Sequence, residues 1–191
     1  MQAIIDACAS GRLGATVCVA ISNNSGSMAL QRARRAGIPR YHLSGKTHPD
    51  PEALDRAILA ALEEHGVNLV ILAGYMKLLG PKTVSRFRGR SLNIHPALLP
   101  KFGGNGLFGM AVHSAVLAAG EKVTGVTVHL ADERFDHGPI VAQTQVPVLD
   151  GDTADSLSRR VLKHEHEFYV ETLGRIERGE IDLDELGSVT T

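Results

Sequence analysis

The chain has 191 residues, of which 43% are hydrophobic and 21% are charged, as is ordinary for a globular protein with a core of normal size. A net charge of −1 excludes a general attraction to nucleic acid or to an anionic membrane surface. Cys8 and Cys18 are too few for a disulfide framework or a zinc pattern, and no signal peptide or bilayer-spanning apolar run is visible. We therefore expect a cytoplasmic protein that acts on small molecules.

The first half of the chain alternates predicted helices with short apolar strands. Residues 2–9 predict a helix that has no capping residue and no strand before it. Apolar runs typical of buried strands follow at 16–22 and 68–74, and short strands are also predicted at 38–43 and 91–95. Helices are predicted between them at 27–37, 50–66 and 81–89. The clearest is 50–66, where Asp50 is the expected cap, Pro51 opens the helix and Gly66 ends it.

The second half predicts longer elements. A helix is expected at 110–119, then two strands at 123–132 and 139–148 joined by a short connection, which predicts an antiparallel hairpin. A long helix is predicted over 150–179, capped by Asp152 or Thr153, and residues 180–187 predict a final short strand or turn. Together the elements predict one α/β domain over 1–191, a doubly wound, mostly parallel sheet with helices on both faces and a C-terminal antiparallel hairpin.

Two polar side chains end the strand at 91–95, where the carboxyl ends of parallel strands bind ligands. Asn93 and His95 are two residues apart, so on a strand they point to the same side and form a donor pair for one developing oxyanion. Pro96 fixes the exit of the chain. Asp136, in the hairpin connection, would favour the imidazolium form of His95 if the two meet. The alternative is that Asn93 and His95 are structural residues and Asp136 is a turn residue.

Other candidate sites are weaker. His164 and His166 in "HEHE" lie about 200° apart on a helix, so they cannot share one ligand sphere, and no metal is predicted. No serine lies in a nucleophile-elbow context, and "GGNG" at 103–106 reads as a flexible loop. His113 and His129 have no assigned role; His129 faces either the site or the core.

Three segments resemble the phosphoribosylglycinamide formyltransferase family of purine synthesis. They are "LNIHPALLPKFGG" at 92–104, "AAGEKVTGVTVHLADERFDHGPIVAQTQVPV" at 118–148 and "HEHEFY" at 164–169, and the resemblance extends over nearly the whole chain. The Asn-x-His-Pro-x-Leu-Leu-Pro segment and the later Asp-x-Gly-Pro are shared by formyltetrahydrofolate enzymes generally. The resemblance implies a formyltransferase-like variant of the Rossmann fold.

The resemblance also implies site residues. Asn93, His95 and Asp136 match the family's catalytic trio, and Glu165 matches a residue that contacts the glycinamide ribonucleotide. Positions that match the folate site are Met76, Lys77, Leu78, Leu79, Asn93, Ala131, Asp132, Glu133 and Asp136.

The implied activity is transfer of a formyl group from the co-substrate N10-formyltetrahydrofolate to the amine of glycinamide ribonucleotide, without a metal. A deformylase, another folate-dependent formyltransferase, or a non-catalytic folate-binding remnant are the alternatives. The expected partners are small-molecule substrates, with the protein a monomer or a weak homodimer.

The chain departs from the family at two places. Family members begin with a strand and a Gly-x-Gly-Ser-Asn loop that holds the substrate phosphate, whereas this chain resembles them only from the following helix. We therefore expect an N-terminally incomplete domain, preceded in full by about a dozen residues that form an apolar strand and a glycine-rich turn. The other departure is Pro51, which stands where the family has an arginine near the folate site.

Overall fold

The computed structural model describes residues 1–188, which form seven helices and six strands. In chain order these are α1 Gln2–Ala9, β1 Ala20–Ser22, α2 Met28–Arg35, β2 Arg40–His42, α3 Pro51–Glu64, β3 Val70–Leu72, α4 Pro81–Arg86, β4 Ser91–His95, α5 Met110–Ala118, β5 Val123–Leu130, β6 Ile140–Pro147, α6 Ala154–Glu177 and α7 Leu183–Ser188. None of these helices combines the length and the hydropathy needed to cross a bilayer.

Most predicted elements are present, with shorter strands in the first half. Helix α3 begins after Asp50, whose carboxylate accepts hydrogen bonds from the amides of Glu52 and Ala53. Helix α6 begins after Thr153 in a reciprocal capping box with Ser156.

The prediction for residues 180–187 is wrong. The segment expected to be a final strand or turn contains helix α7. Asp182 caps this helix by accepting a hydrogen bond of 2.8 Å from the amide of Asp184, and Leu183 is buried. The alternating pattern of "EIDLDELG" suggested a strand, but a capping aspartate decides the local structure.

The strands form two sheets. In one, β1 and β2 are parallel. The other has the order β3–β4–β5–β6, with β3 parallel to β4 and with β5 antiparallel to both of its neighbours. The predicted combination of parallel strands and an antiparallel hairpin is confirmed, but the predicted single sheet is divided between β1 and β3.

Helices cover both faces of the larger sheet. On one face, α6 buries Leu157, Val161 and Leu173 in a cluster with Leu92 of β4 and Val128 of β5. On the other face, α3 lies over a second cluster, whose members are Leu43, Ile58, Ala61, Leu62, Val70 and Phe87. The sheet is therefore buried on both faces, as expected for a parallel region.

A buried carboxylate joins α3 to α4. Asp55 is 2% exposed and accepts hydrogen bonds from the hydroxyl of Thr83 at 2.6 Å and from the amides of Lys82 and Thr83 at 2.8 and 3.1 Å. Two of these donors are first-turn amides of α4, which have no partner within their own helix. Asp55 thus caps α4 from another helix and holds the chain that leads into β4.

We predict that Asp55→Ala lowers the free energy of unfolding by about 3 kcal/mol, because it leaves several buried donors without an acceptor. Urea unfolding followed by circular dichroism measures the change. The matched control is Asp155→Ala, which removes an exposed carboxylate that pairs only with Arg159 on the same helix. Equal losses in the two variants would contradict a structural role for Asp55.

Candidate active site

The register between β4 and β5 places the candidate residues at the carboxyl end of β4. Asn93 lies opposite His129, and His95 lies opposite Thr127. The Thr127 hydroxyl donates to the carbonyl of Ala97 at 2.6 Å and accepts from the amide of Leu99 at 3.1 Å. The turn after His95 is therefore fastened to β5, which fixes the direction in which the imidazole leaves the strand.

Asp136 is the centre of the cluster. Its Oδ2 atom lies 3.4 Å from Nδ1 of His95 and accepts a hydrogen bond of 2.9 Å from the amide of Gly104. Its Oδ1 atom lies 3.4 Å from Nε2 of His129 and accepts from the Asn93 amide at 3.4 Å. The three residues that the sequence singled out therefore meet, although Asp136 is far from the other two along the chain.

The hairpin connection that carries Asp136 has an unusual backbone. Asp136 has a φ of +52°, a left-handed conformation that aspartate tolerates better than most residues. Gly138 follows, and a Cβ atom there would lie 2.0 Å from the carbonyl oxygen of Leu130. The connection can therefore close over the end of β5 only with glycine at 138.

Both histidines have a ring nitrogen held by a backbone carbonyl. Nε2 of His95 lies 2.8 Å from the Phe102 carbonyl, and Nδ1 of His129 lies 2.8 Å from the Leu130 carbonyl. A carbonyl only accepts, so each of these nitrogens carries the proton. The other ring nitrogens, Nδ1 of His95 and Nε2 of His129, both face Asp136. The Asn93 amide also donates to Nε2 of His129 at 3.0 Å.

Burial sets the charge of His95. Its side chain is 4% exposed, and this burial lowers its pKa. Asp136 and the Phe102 carbonyl raise the pKa, but by less, and His129 lowers it again. The sequence predicted an imidazole kept protonated by Asp136. The direction of the Asp136 effect agrees with that prediction, but the net pKa lies below the ordinary value, so His95 is neutral at pH 7.

Asp136 remains ionised for the opposite reason. Burial raises its pKa, but the neighbouring groups lower it more: His129 and the Gly104 amide as hydrogen-bond partners, and the charges that His95 and His129 carry whenever their rings are protonated. Its net pKa is therefore below the ordinary value. The cluster combines a buried carboxylate with a neutral imidazole, which is an arrangement suited to moving one proton.

Sequence reasoning missed two contributors to this cluster. His129 was left unassigned, and the glycine-rich loop was treated as flexible, yet Gly104 donates to Asp136. The signal for His129 was the antiparallel pairing of the hairpin with β4, which puts it across from Asn93. His113 of α5 is also buried, and its pKa is lowered by burial and then by the charge of His95.

A cavity of about 200 Å³ lies beside the connection between β5 and β6. Ala131, Asp132 and Glu133, three of the residues expected at a folate site, line it. Glu133 also forms an exposed ion pair with Arg88.

The four residues at 76–79, which are also expected at a folate site, differ in exposure. Met76 and Leu78 are about half exposed and Lys77 is exposed. Leu79 instead packs against the cluster beneath α3. The first three are therefore available to a ligand, whereas Leu79 is half-buried and its contact with folate stays a prediction.

Glu165 lies apart from the Asp136 cluster, on α6. Its burial raises its pKa to about 7, although the α-amino group of Met1 offsets part of this effect. Glu165 therefore changes charge near neutral pH. Among residues 1–188, no group of three or more His, Cys, Asp or Glu side chains is arranged to hold a metal ion.

Comparison with known proteins shows a family likeness over most of the chain. The formyl transferase family model matches residues 1–173. The phosphoribosylglycinamide formyltransferase of Escherichia coli strain K12 is 36% identical over 97% of this chain and 85% of its own length. The chloroplastic enzyme of that name from Arabidopsis thaliana is 40% identical over 91% of this chain, which spans only 60% of that relative.

Solved structures agree with these matches. Glycinamide ribonucleotide transformylase 1 from Symbiobacterium toebii superposes with a TM-score of 0.86 at 42% identity, covering 93% of this chain and 82% of that protein. A formyltetrahydrofolate deformylase from Pseudomonas putida KT2440 gives a TM-score of 0.78 at 31% identity, and only 61% of that protein is covered.

We predict that Asp136→Asn lowers the pKa of His95 further, because the substitution removes the charge that partly offsets burial. Asparagine has the same size and tolerates the positive φ. NMR titration of the His95 ring measures the change. The control is Asp132→Asn on the same connection, whose carboxylate lies 3.0 Å from His137 instead. An unchanged His95 titration in a folded Asp136→Asn protein would contradict the interaction.

We predict that Glu165→Gln makes the protein more stable than its parent at pH 8 but not at pH 4. A carboxyl group whose folded pKa is raised contributes stability below its unfolded pKa of 4.5 and loses that contribution as pH rises through about 7. Glutamine avoids the loss because it stays neutral. Urea unfolding at a series of pH values tests this, with Glu167→Gln at an exposed position of the same helix as the control. Parallel pH profiles for the parent and Glu165→Gln would show that the Glu165 pKa is not raised.

Proposed function

The chain belongs to the formyl transferase family, among the phosphoribosylglycinamide formyltransferases, and we propose that it transfers a formyl group from N10-formyltetrahydrofolate to the amine of glycinamide ribonucleotide in purine biosynthesis. The observation that carries this proposal is the buried cluster of Asn93, His95 and Asp136 at the carboxyl end of β4. The cluster offers donors for an oxyanion and a path for one proton, which are the two requirements of acyl transfer between nitrogens.

The proposed reaction begins with attack of the substrate amine on the formyl carbon. The carbonyl oxygen then becomes negative, and the Asn93 amide is placed to donate to it. The Nε2–H of His95 now donates to the Phe102 carbonyl at 2.8 Å, and it exchanges that partner for the oxyanion when the substrates bind. Two donors on one side of β4 thus stabilise the same developing charge.

Proton transfer completes the reaction. The attacking nitrogen must lose a proton, and the folate nitrogen must gain one as its bond to the formyl carbon breaks. Because His95 is neutral before the reaction, its unprotonated Nδ1 atom beside Asp136 can accept the first proton through a water molecule. The oxyanion and Asp136 both favour the imidazolium that results, which then delivers the proton to the leaving nitrogen, directly or through water. Since the amine attacks directly, no covalent enzyme intermediate is needed.

We assign the two substrates to different groups of residues. Met76, Lys77 and Leu78 with Ala131, Asp132 and Glu133 hold the folate, which is supported by the exposure of the first three and by the cavity that the others line. Glu165 contacts the glycinamide ribonucleotide, and only its ionised form accepts hydrogen bonds without donating.

Two further properties belong to the proposal. Cys8 and Cys18 are free thiols, and both substrates are water-soluble, which supports a cytoplasmic location. We propose a monomer or a weak homodimer as the active form.

The first alternative is a formyltetrahydrofolate deformylase, which would direct water instead of an amine at the same formyl carbon. The greater coverage and identity of the transformylase structure favour formyl transfer. The second alternative is a protein that binds folate without catalysis. Measuring formyl transfer, formate release and folate binding on the same preparation distinguishes all three.

We predict that His95→Ala lowers the turnover number for formyl transfer at least about 100-fold, because it removes both an oxyanion donor and the proton carrier. The folate dissociation constant should change little, since His95 is only 3% exposed and offers little surface to a ligand. Initial rates and ligand titration measure the two quantities.

The matched control is His48→Ala, which removes an imidazole outside the cluster whose Nδ1 atom lies 3.0 Å from the Thr47 hydroxyl. We expect it to retain the parent turnover. If His95→Ala also stayed within a few-fold of the parent, His95 would not be the proton carrier, and the proposed mechanism would be wrong.

A further inference from the structure

The register of the larger sheet places His95 in a row of three side chains. His95 of β4 lies opposite Thr127 of β5, and Thr127 lies opposite Gln143 of β6. Residues directly opposite each other on neighbouring antiparallel strands share one face of the sheet. The three side chains therefore lie side by side across β4, β5 and β6, with Gln143 on the outermost strand of the sheet.

The Gln143 amide joins this row to the turn that follows His95. Its Nε2 atom donates to the Leu99 carbonyl and to the Thr127 hydroxyl, in both cases at 2.9 Å. A carbonyl oxygen only accepts, so the Gln143 atom that faces Leu99 must be the nitrogen, and the orientation of the amide is determined. Gln143 therefore directs both of its side-chain donors at the same turn.

Gln143 also completes the hydrogen bonding of the Thr127 hydroxyl. This oxygen accepts from the Leu99 amide at 3.1 Å and from Gln143, and it donates to the Ala97 carbonyl at 2.6 Å. A hydroxyl has one proton and two acceptor lone pairs, so all three are in use. Because N–H donors occupy both lone pairs, the single proton points to Ala97. Gln143 thus fixes the rotation of a hydroxyl that is fully buried.

The anchored turn is the first part of a segment that returns to His95. The chain leaves β4 at His95, and the Phe102 carbonyl comes back to accept a hydrogen bond of 2.8 Å from the His95 ring. Two residues further on, the Gly104 amide donates to Asp136. A movement of residues 97–99 would therefore change the direction in which His95 leaves the strand and displace the carbonyl that holds its ring.

Packing holds the same turn in a different way. A Cβ atom at Gly125 of β5 would lie 2.4 Å from Cδ2 of Leu98, so the Leu98 side chain lies directly on the sheet at this glycine. Apolar contact of this kind is non-directional, whereas hydrogen bonds depend steeply on angle. Leu98 therefore holds the turn against β5, and the bonds from Gln143 set its orientation.

We propose that Gln143 is a positioning residue for formyl transfer, which acts through Thr127 and the turn at 97–99 to hold the His95 ring in its reactive orientation. Glutamine suits this role because its amide carries two donors, one for each of the two acceptors. The effect on turnover rests on the proposed function, whereas the effect on the His95 ring does not.

The test compares Gln143→Met and Gln143→Glu with the parent. Methionine has a similar size and no donor, and the isosteric glutamate carboxylate only accepts. Gln143 is exposed, so neither change leaves a buried cavity, and we expect both variants to fold. We expect the turnover number to fall about tenfold, because a small misplacement of a catalytic group is costly. The KM of each substrate should stay within about twofold, since Gln143 is not assigned to either one.

A measurement on His95 itself separates positioning from a general loss of stability. In the free parent the Nε2 proton of His95 donates to Phe102, and its exchange with water is followed by NMR on ¹⁵N-labelled protein. We expect this exchange to be at least about tenfold faster in both variants, because the loosened turn releases the ring.

The matched control is Gln145→Met, two residues further along β6. Gln145 is exposed, and its side chain makes no hydrogen bond within residues 1–188. We expect the parent turnover and the parent exchange rate at His95.

Three results would overturn the proposal. Parent turnover in Gln143→Glu would show that the donors are not needed. Parent exchange at His95 in both Gln143 variants would show that any loss of turnover arises elsewhere. An equal loss in Gln145→Met would show a general effect of altering β6. If the parent itself transfers no formyl group, the proposed function fails, and the exchange rates alone decide whether Gln143 holds His95.

Discussion

The buried carboxylate of Asp136 is the interaction on which the candidate site depends. It draws together two residues of β4, one of β5 and the backbone of the loop that contains Gly104. A carboxylate that is only 9% exposed is costly to bury without hydrogen-bond donors, so each of these contacts also stabilises the loop arrangement. Moving the connection between β5 and β6 would leave that charge without partners. The contacts that set the geometry of the site are therefore the same contacts that stabilise its loops.

Burial gives this cluster its chemical character. The same low exposure that keeps His95 neutral strengthens every electrostatic interaction that the site makes. A neutral imidazole facing an ionised carboxylate is one proton short of an ion pair, and the missing proton is the one that an attacking amine must lose. When negative charge develops on a substrate oxygen nearby, the imidazolium becomes favourable. The site thus becomes protonated during the reaction rather than before it.

The scaffold around the site differs in rigidity between its two sides. β4, β5 and β6 form a continuous ladder with a core that α6 covers, and the catalytic cluster is built on this side. β1 and β2 form a separate pair, held to the rest mainly by helices that pack across the cleft between the two sheets. The hydrogen bonds of a ladder constrain the relative positions of its strands, whereas side-chain packing across a cleft constrains them less.

The sequence by itself determined the element types as far as α6, the cap of α3, two candidate caps for α6, and the pairing of Asn93 with His95, because all of these follow from local periodicity and spacing. It also singled out Asp136, but could not show that this residue meets His95, since the contact depends on how the hairpin folds back. Only the tertiary structure decided three matters. The register of β5 brought His129 opposite Asn93, burial outweighed the charge of Asp136 in setting the pKa of His95, and the sheet divided between β1 and β3. Each depends on contacts between segments distant along the chain, which no local pattern records.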